Sequence, residues 1–179
     1  ICDDNNIEFH YVNLQEEFYK DVIIPFADFY LKGLTPNICS YCNAEFKIEK
    51  LLQYAEKFSC NYIATGHYAR KNDSLIGIAK DSWKDQSFML YRLSEKQREK
   101  LLLPLGQKMK DEVKDFVRQC GYEEIANKRE SFGLCFTNGK HYSEFLLEKY
   151  PELKKLENGK VINKNNQVIG THKGYPFYT

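Results

Sequence analysis

Apolar positions along the chain change period several times, and each change marks an element. Ile7, Phe9 and Tyr11 alternate with polar neighbours and run into Val12 and Leu14, a β-rich pattern that predicts a strand over residues 7–14. From Gln15 to Lys32 the spacing turns helical, with Phe18, Val22, Phe26, Phe29 and Tyr30 on one face. Pro25 inside that run predicts a kink or two short helices, and Gly33 a stop. Thr35-Pro36-Asn37 is loop chemistry. Asn43 is placed to cap a helix whose apolar face is Ala44, Ile48, Leu51, Leu52, Ala55 and Phe58. Asn61–Thr65 reads as a short strand closed by Gly66. Strand, helix, helix, strand, with continuous apolar strands, predicts an α/β fold with a parallel sheet.

The second half is more broken. Ser74–Ala79 reads as a strand, followed by the polar run Asp81–Ser87. Ser94-Glu95-Lys96-Gln97 has capping-box spacing and opens a helix, which Leu103-Pro104-Leu105-Gly106 interrupts. Val113, Phe116, Val117 and Cys120 repeat at i, i+3, i+4, i+7, with Asp111 and Glu112 in the first turn and Gly121 at the end. Ser131–Phe136 is a short apolar loop around one cysteine, and His141–Tyr150 is helical. Pro151 and Gly159 bracket a polar linker, a candidate domain boundary, before a hairpin turning at Asn165-Asn166. Pro176–Thr179 is again strand-like.

Composition narrows the class. The 179 residues have room for one ordinary domain, or for one domain and a small appendage. With 26 basic and 25 acidic residues the net charge is +1, so no global field marks a nucleic-acid binder and any such role rests on a local patch. No apolar run approaches the ~18 residues of a membrane span, and the acidic, polar start is unlike a signal peptide. A cytoplasmic, reducing setting with no membrane partner is the expectation. Six cysteines, at 2, 39, 42, 60, 120 and 135, lack the regular spacing of a disulfide scaffold. Cys2, Cys60 and Cys120 are expected to be small buried hydrophobes; Cys39, Cys42 and Cys135 ask for another account.

Cys39 and Cys42 form a C-x-x-C that three chemistries could use. A structural zinc site needs two further ligands, and the chain offers Cys60, His67 and Cys135 but no second paired motif. A redox dithiol is the second. In the third, Cys42 alone works as a nucleophile just before a helix N-terminus, where unpaired N–H groups and the dipole favour thiolate. Gly66-His67 follows a predicted parallel strand, where ligands bind in open α/β sheets and glycine admits close backbone approach; a plain tight turn is the alternative. Lys84-Asp85-Gln86 is either a solvated loop or a polar cluster for phosphate and ribose.

Seven segments in order then resemble the tRNA-specific 2-thiouridylase family of the PP-loop ATP-pyrophosphatases: TPNICSYCN (35–43), NYIATGHYAR (61–70), KDQSFMLYRL (84–93), LLLPLG (101–106), KDEV (110–113), GLCF (133–136) and GYPFYT (174–179). The resemblance implies a sulfurtransferase that spends ATP, with Mg2+, to adenylate the C2 oxygen of a wobble uridine in tRNA of the Lys, Glu and Gln type. Sulfur from a cysteine persulfide then displaces AMP. By the same resemblance Cys135 carries the persulfide, loaded by a separate donor protein, and Cys42 is its partner nucleophile. Cys42 either frees the sulfide or closes a disulfide with Cys135. Gly66 lies at the nucleotide, and Pro36, Asn37, His67, Lys84, Asp85 and Gln86 contact tRNA. No resident metal ligands are implied.

The pattern is not complete. Cys39 stands where the family can carry an Asp proposed as general base, which leaves its role open; Ile38 replaces a common proline and Phe132 a common Gln. The Ser-Gly-Gly-x-Asp-Ser phosphate loop of the family does not occur. The expectation is therefore an internal fragment, inactive alone: residues 1–136 as the later part of the ATP-binding domain and 137–179 as part of a small α+β central domain, without the C-terminal β-barrel. An amidating ligase of the same superfamily and a zinc or redox binding module are the alternatives.

Overall fold

The computed structural model describes residues 1–129 and 133–178. Residues 7–14 form no strand; they run on in irregular backbone after a 3₁₀ turn at Asp3–Asn5. Alternation had predicted a strand, but a strand exists only through a partner's hydrogen bonds, and no described segment pairs with this one.

The helical run over 15–32 is present in three pieces: α1 (Gln15–Phe18), a π-helical turn (Tyr19–Ile23) and α2 (Ile24–Leu31). Pro25 falls in the first turn of α2, directly after the π turn, where the change of pitch accommodates the helical bond its missing N–H cannot make. Phe26, Ala27 and Tyr30 are buried, as is Val22 in the π turn.

The next helix is also continuous in direction and changes pitch: α3 (Ile38–Tyr41), a π turn (Cys42–Lys47) and α4 (Ile48–Lys57). It begins at Asn37, not Asn43. The Asn37 Oδ1 accepts from the Ser40 N–H at 3.3 Å, while Asn43 is buried within the π turn and donates to the Met89 carbonyl at 3.3 Å. This helix lies between two hydrophobic clusters. Ile38 and Phe46 join Val22, Phe26 and Leu146 on one side; Ala44 and Ile48 join Ile63, Leu90 and Leu101 on the other.

The short strand β1 (Ile63–Ala64) pairs in parallel with a strand the sequence did not show, β4 (Leu101–Leu102), with Ile63 opposite Leu101 and Ala64 opposite Leu102. Between them β2 (Arg70–Asn72) and β3 (Leu75–Gly77) make an antiparallel hairpin turning at Asp73, whose φ is positive. The capping box at Ser94 is present and opens α5 (Glu95–Lys100). Its Gln97 also donates to the Ala44 carbonyl at 2.7 Å, tying α5 to the long helix.

Gly106, in the loop after β4, packs so closely that a Cβ would lie 2.1 Å from the Ala69 carbonyl oxygen. No side chain larger than hydrogen fits there. Beyond it come α6 (Lys110–Gln119), α7 (Glu123–Asn127), α8 (Tyr142–Lys149), a 3₁₀ turn at Pro151–Lys155 and the hairpin of β5 (Gly159–Ile162) with β6 (Val168–His172). The final stretch is a 3₁₀ turn at Tyr175–Phe177, where Pro176 favours a turn over a ladder. Thr179, with Ser131 and Phe132 of the cysteine loop, lies outside the described residues.

Cys60 and Cys120 are exposed and Cys2 is half-buried, against the expectation of burial. Cys120 caps α6, a helix none of whose residues is buried, and Cys60 follows the last turn of α4.

Candidate active site

Cys39, Cys42 and Cys135 line one cavity of about 220 Å³, together with His67 and Gln86. Four elements bring them there. Cys39 and Cys42 project from the first turns of the long helix. His67 follows β1 at its carboxyl end, and Gln86 comes from the polar loop before a 3₁₀ turn at Ser87–Met89. Cys135 is exposed, but its neighbour Phe136 is anchored by edge-on ring contacts to Phe26 (5.1 Å), Phe145 (5.2 Å) and Phe18 (6.2 Å). That anchor holds the cysteine loop at the cavity mouth. All six thiols are free.

Cys42 is not just before a helix N-terminus. It sits more than a turn inside a helix that starts at Ile38, so the terminal N–H groups are out of its reach. Burial pushes its thiol up to about 11, with Cys135 and Cys39 nearby acting in the same direction. What opposes this is Lys47, chiefly through its charge and to a lesser extent through its backbone amide. The π turn explains that meeting, because its i→i+5 spacing turns Lys47 onto the face of Cys42. Cys39 is likewise raised, by burial first and by Cys135 next, against Lys47. Lys47 lines the cavity and makes no ion pair among the described residues. The sequence reading missed it; a lysine five residues after a cysteine carries no signal until the π turn is known.

His67 is 8% exposed, and its Nδ1 is 2.8 Å from the Thr65 hydroxyl. Burial, and then the Lys47 charge, lower it to about 4, so the ring is neutral near pH 7. Asn43 adds an unexpected wall: it is 3% exposed, lines the cavity, and its Oδ1 accepts no hydrogen bond among the described residues.

The polar triplet divides. The Gln86 carboxamide oxygen accepts from the Tyr68 N–H at 3.0 Å, and the Gln86 N–H donates to the Tyr68 carbonyl at 2.8 Å, so this residue is locked beside His67. Asp85 spends both carboxylate oxygens inside its own loop, accepting from the Ala79 N–H and the Ser87 hydroxyl at 2.7 Å each. Lys84 and Asp85 lie outside the cavity lining. Pro36 and Asn37 line a separate depression of about 180 Å³ with Tyr41, Tyr91 and Arg92. Gly66, at the end of β1, is open: a Cβ there would meet only Leu105 Cδ1, at 3.8 Å. An apolar groove of about 720 Å³, walled by the irregular segment 9–14 and the face of α4, shares Phe18, Cys42 and Lys47 with the thiol cavity.

A neutral imidazole, an open backbone at a strand end, and three thiols sharing a cavity with Lys47 can support nucleophilic or thiol–disulfide chemistry beside a bound ligand. Among the described residues no group of three His, Cys, Asp or Glu side chains is arranged to hold a metal ion.

Residues 1–139 match the family model described as the tRNA methyl transferase HUP domain. A tRNA-specific 2-thiouridylase MnmA of Amoebophilus asiaticus is 38% identical over 173 residues, 94% of this chain and 46% of its own length. A tRNA-specific 2-thiouridylase MnmA 3 of Bacteroides fragilis is 39% identical over 176 residues, 95% of this chain and 48% of its own. The corresponding protein of Sulfurimonas denitrificans is 37% identical over 174 residues, 97% and 50%. The chain spans about half the length of the curated relatives it matches. With a model matched over 139 residues and a parallel α/β pairing that places Gly66 and His67 at a strand's carboxyl end, the chain belongs to the tRNA methyl transferase HUP-domain family.

Proposed function

We propose that this chain is the sulfur-handling part of a tRNA 2-thiouridylase. The observation that carries the reading is the convergence of Cys39, Cys42 and Cys135 on one cavity beside His67. In that reading Cys135, exposed at the cavity mouth, accepts a persulfide from a donor protein. The terminal sulfur attacks C2 of a uridine whose C2 oxygen has been adenylated. Cys42 then attacks the Cys135 sulfur and releases the thiolated base, leaving a Cys42–Cys135 disulfide. The two thiols supply the two electrons that reduce the sulfane sulfur to the thiocarbonyl level, and AMP carries away the oxygen.

The surroundings support these roles. Among the described residues, Lys47 is the cation that opposes the burial of Cys42 and Cys39. Asn43 Oδ1 offers a buried acceptor for a nucleobase N–H, a group that gains most from a partner when water is excluded. The neutral His67 can donate or accept against a base without adding charge. Open backbone at Gly66 fits a nucleotide that approaches the strand end closely. ATP is the co-substrate; it supplies the leaving group. Mg2+ finds no cluster of ligands among the described residues, and no role in this chain is assigned to it. Pro36, Asn37 and Lys84 face the wobble-uridine tRNA, with the exposed Trp83 and Tyr91 alongside. Asp85 shapes the loop that presents them. No helix among the described residues is long and apolar enough to cross a membrane; the assignment to the cytoplasm follows from the tRNA substrate.

Sulfur chemistry is preferred to amidation because three thiols share the cavity and an amidating ligase needs none. The test is a pair of variants in the full-length protein. Cys42→Ser and Cys135→Ser should each abolish 2-thiouridine formation in tRNA while ATP-dependent adenylation persists. A Cys42→Ser protein that thiolates at a near wild-type rate overturns the mechanism.

A further inference from the structure

Cys39 lies in the first turn of the long helix, three residues from Cys42, and lines the same cavity as Cys42 and Cys135. It stands where a carboxylate base would serve the family pattern; burial raises its thiol, which rests protonated and ionises only as it reacts. All three sulfur-bearing residues line that one cavity, and each of Cys39 and Cys42 is near enough to Cys135 to feel its charge. Helix geometry sets residues three apart at about 5 Å between Cα atoms, inside the roughly 4.4–6.8 Å range that a disulfide spans. Cys39 and Cys42 can therefore be bridged with little movement of the helix. Cys135 sits between Leu134 and Phe136, which both pack against the core, while it is itself exposed.

We propose that Cys39 is a resolving thiol, which takes over the disulfide from Cys135 and so returns Cys135 to its reduced, loadable form. The proposal rests on the sulfur-transfer reading above. The Cys39 thiolate attacks the Cys42 sulfur, the Cys42–Cys135 bond breaks, and a Cys39–Cys42 bond forms. The electron pair leaves on the Cys135 sulfur, which takes up a proton equivalent to the one Cys39 lost. No net oxidation occurs in this exchange. Cys135 is the exposed member of the three, so water solvates the departing thiolate. A dithiol reductant resets the Cys39–Cys42 bond and becomes a disulfide itself. Groups facing Cys42 from other elements are His67 after β1, neutral near pH 7, and Cys135; Lys47 on its own helix is the cation that favours thiolates here.

Disulfide mapping after mild oxidation tests this in the 179-residue chain. Trypsin leaves Cys39 and Cys42 together in the 33–47 peptide and Cys135 in the 130–140 peptide, so the two bonds are distinguished at once. The chain is treated with diamide, its remaining thiols are blocked with N-ethylmaleimide, and the peptides are weighed. Wild type should carry the loop within 33–47 and a blocked Cys135. Cys39→Ser should shift the oxidised protein to a cross-link between the two peptides, enriched at least tenfold over wild type. The proposal is overturned if wild type carries the cross-link at the yield of Cys39→Ser with Cys39 blocked, or if Cys39 enters no disulfide. Because this readout needs neither tRNA nor ATP, it fails or succeeds independently of the thiolation assay for Cys42 and Cys135.

Discussion

His67 is almost wholly buried, its Nδ1 is committed to the Thr65 hydroxyl, and the Lys47 charge faces it, so protonating it would place a second cation in a small cavity. Its folded value, about 4, lies below the ordinary 6.5. The unfolded chain therefore binds the proton more tightly than the folded one between those limits, and stability falls as pH falls from 6.5 towards 4. Above 6.5 the contribution is complete; below 4 both states are protonated and the slope vanishes. A shift of that size corresponds to roughly 3 kcal/mol in full, of which about 2 kcal/mol is lost between pH 7 and pH 5. Urea midpoints at the two pH values check this: His67→Gln should lose less than wild type by about that amount. Equal losses in the two proteins would remove His67 as the acid-sensitive group. The same cation acts on Cys42, whose burial would otherwise leave no nearby charge to favour thiolate. The one-dimensional pattern pointed to a helix N-terminus for that role, and the molecule uses a lysine one π turn away.

The long helix starts at Asn37 and not at Asn43, although both residues can cap. Tertiary packing decides: Ile38 is buried against Val22, Phe26 and Leu146, which pulls the segment after Pro36 into the helix, and Asn43 is then an interior residue held by the Met89 carbonyl. Asn37 thus has a structural role at the site, besides any contact with tRNA. Asn37→Ala should cost about 1 kcal/mol of stability, read from chemical denaturation, whereas Asn37→Asp keeps the cap and the stability. Thiolation lost in Asn37→Asp as well as in Asn37→Ala would assign it a substrate contact; thiolation retained in Asn37→Asp would leave the cap as its whole contribution. Elements with short-range signals were legible in this way throughout. The Ser94–Gln97 box, the acidic first turn of α6 and the Asn165-Asn166 hairpin each close within a few residues. What failed needed a distant partner. Residues 7–14 alternate correctly but pair with nothing described, and Leu101–Leu102, too short to show a period, becomes a strand only because Ile63–Ala64 lies beside it. Motif resemblance singled out Cys42 and Cys135, which line one cavity, but gave no sign of Lys47 and Asn43 beside them, since these lie in the π turn of the helix.

At the scale of the whole molecule, the site is held by residues far from it in sequence. Leu146 is fully buried and Phe145 and Leu153 nearly so, all in the cluster that contains Phe26 and Ile38. Residues 140–155 therefore lie beyond the 139 residues matched by the family model yet pack against the helix that presents Cys39 and Cys42. Phe145 also supplies one ring of the contacts that anchor Phe136 beside Cys135. Removing Leu146 should loosen both walls of the thiol cavity at once. Leu146→Ala should cost about 2–5 kcal/mol, the transfer energy of the side chain plus the cavity it leaves. Phe116→Ala, at a 65% exposed position on α6, should change stability by no more than about 0.5 kcal/mol. Denaturant midpoints give both numbers. The consequence for the site is read by alkylation at neutral pH, where half-buried Cys39 and Cys42 react slowly in the intact chain and exposed Cys135 readily. In Leu146→Ala, under conditions where the chain remains folded, Cys39 and Cys42 should gain in rate while exposed Cys60 does not change. If the stability loss appears without any gain in alkylation of Cys39 and Cys42, the cluster supports the fold but does not position the thiols.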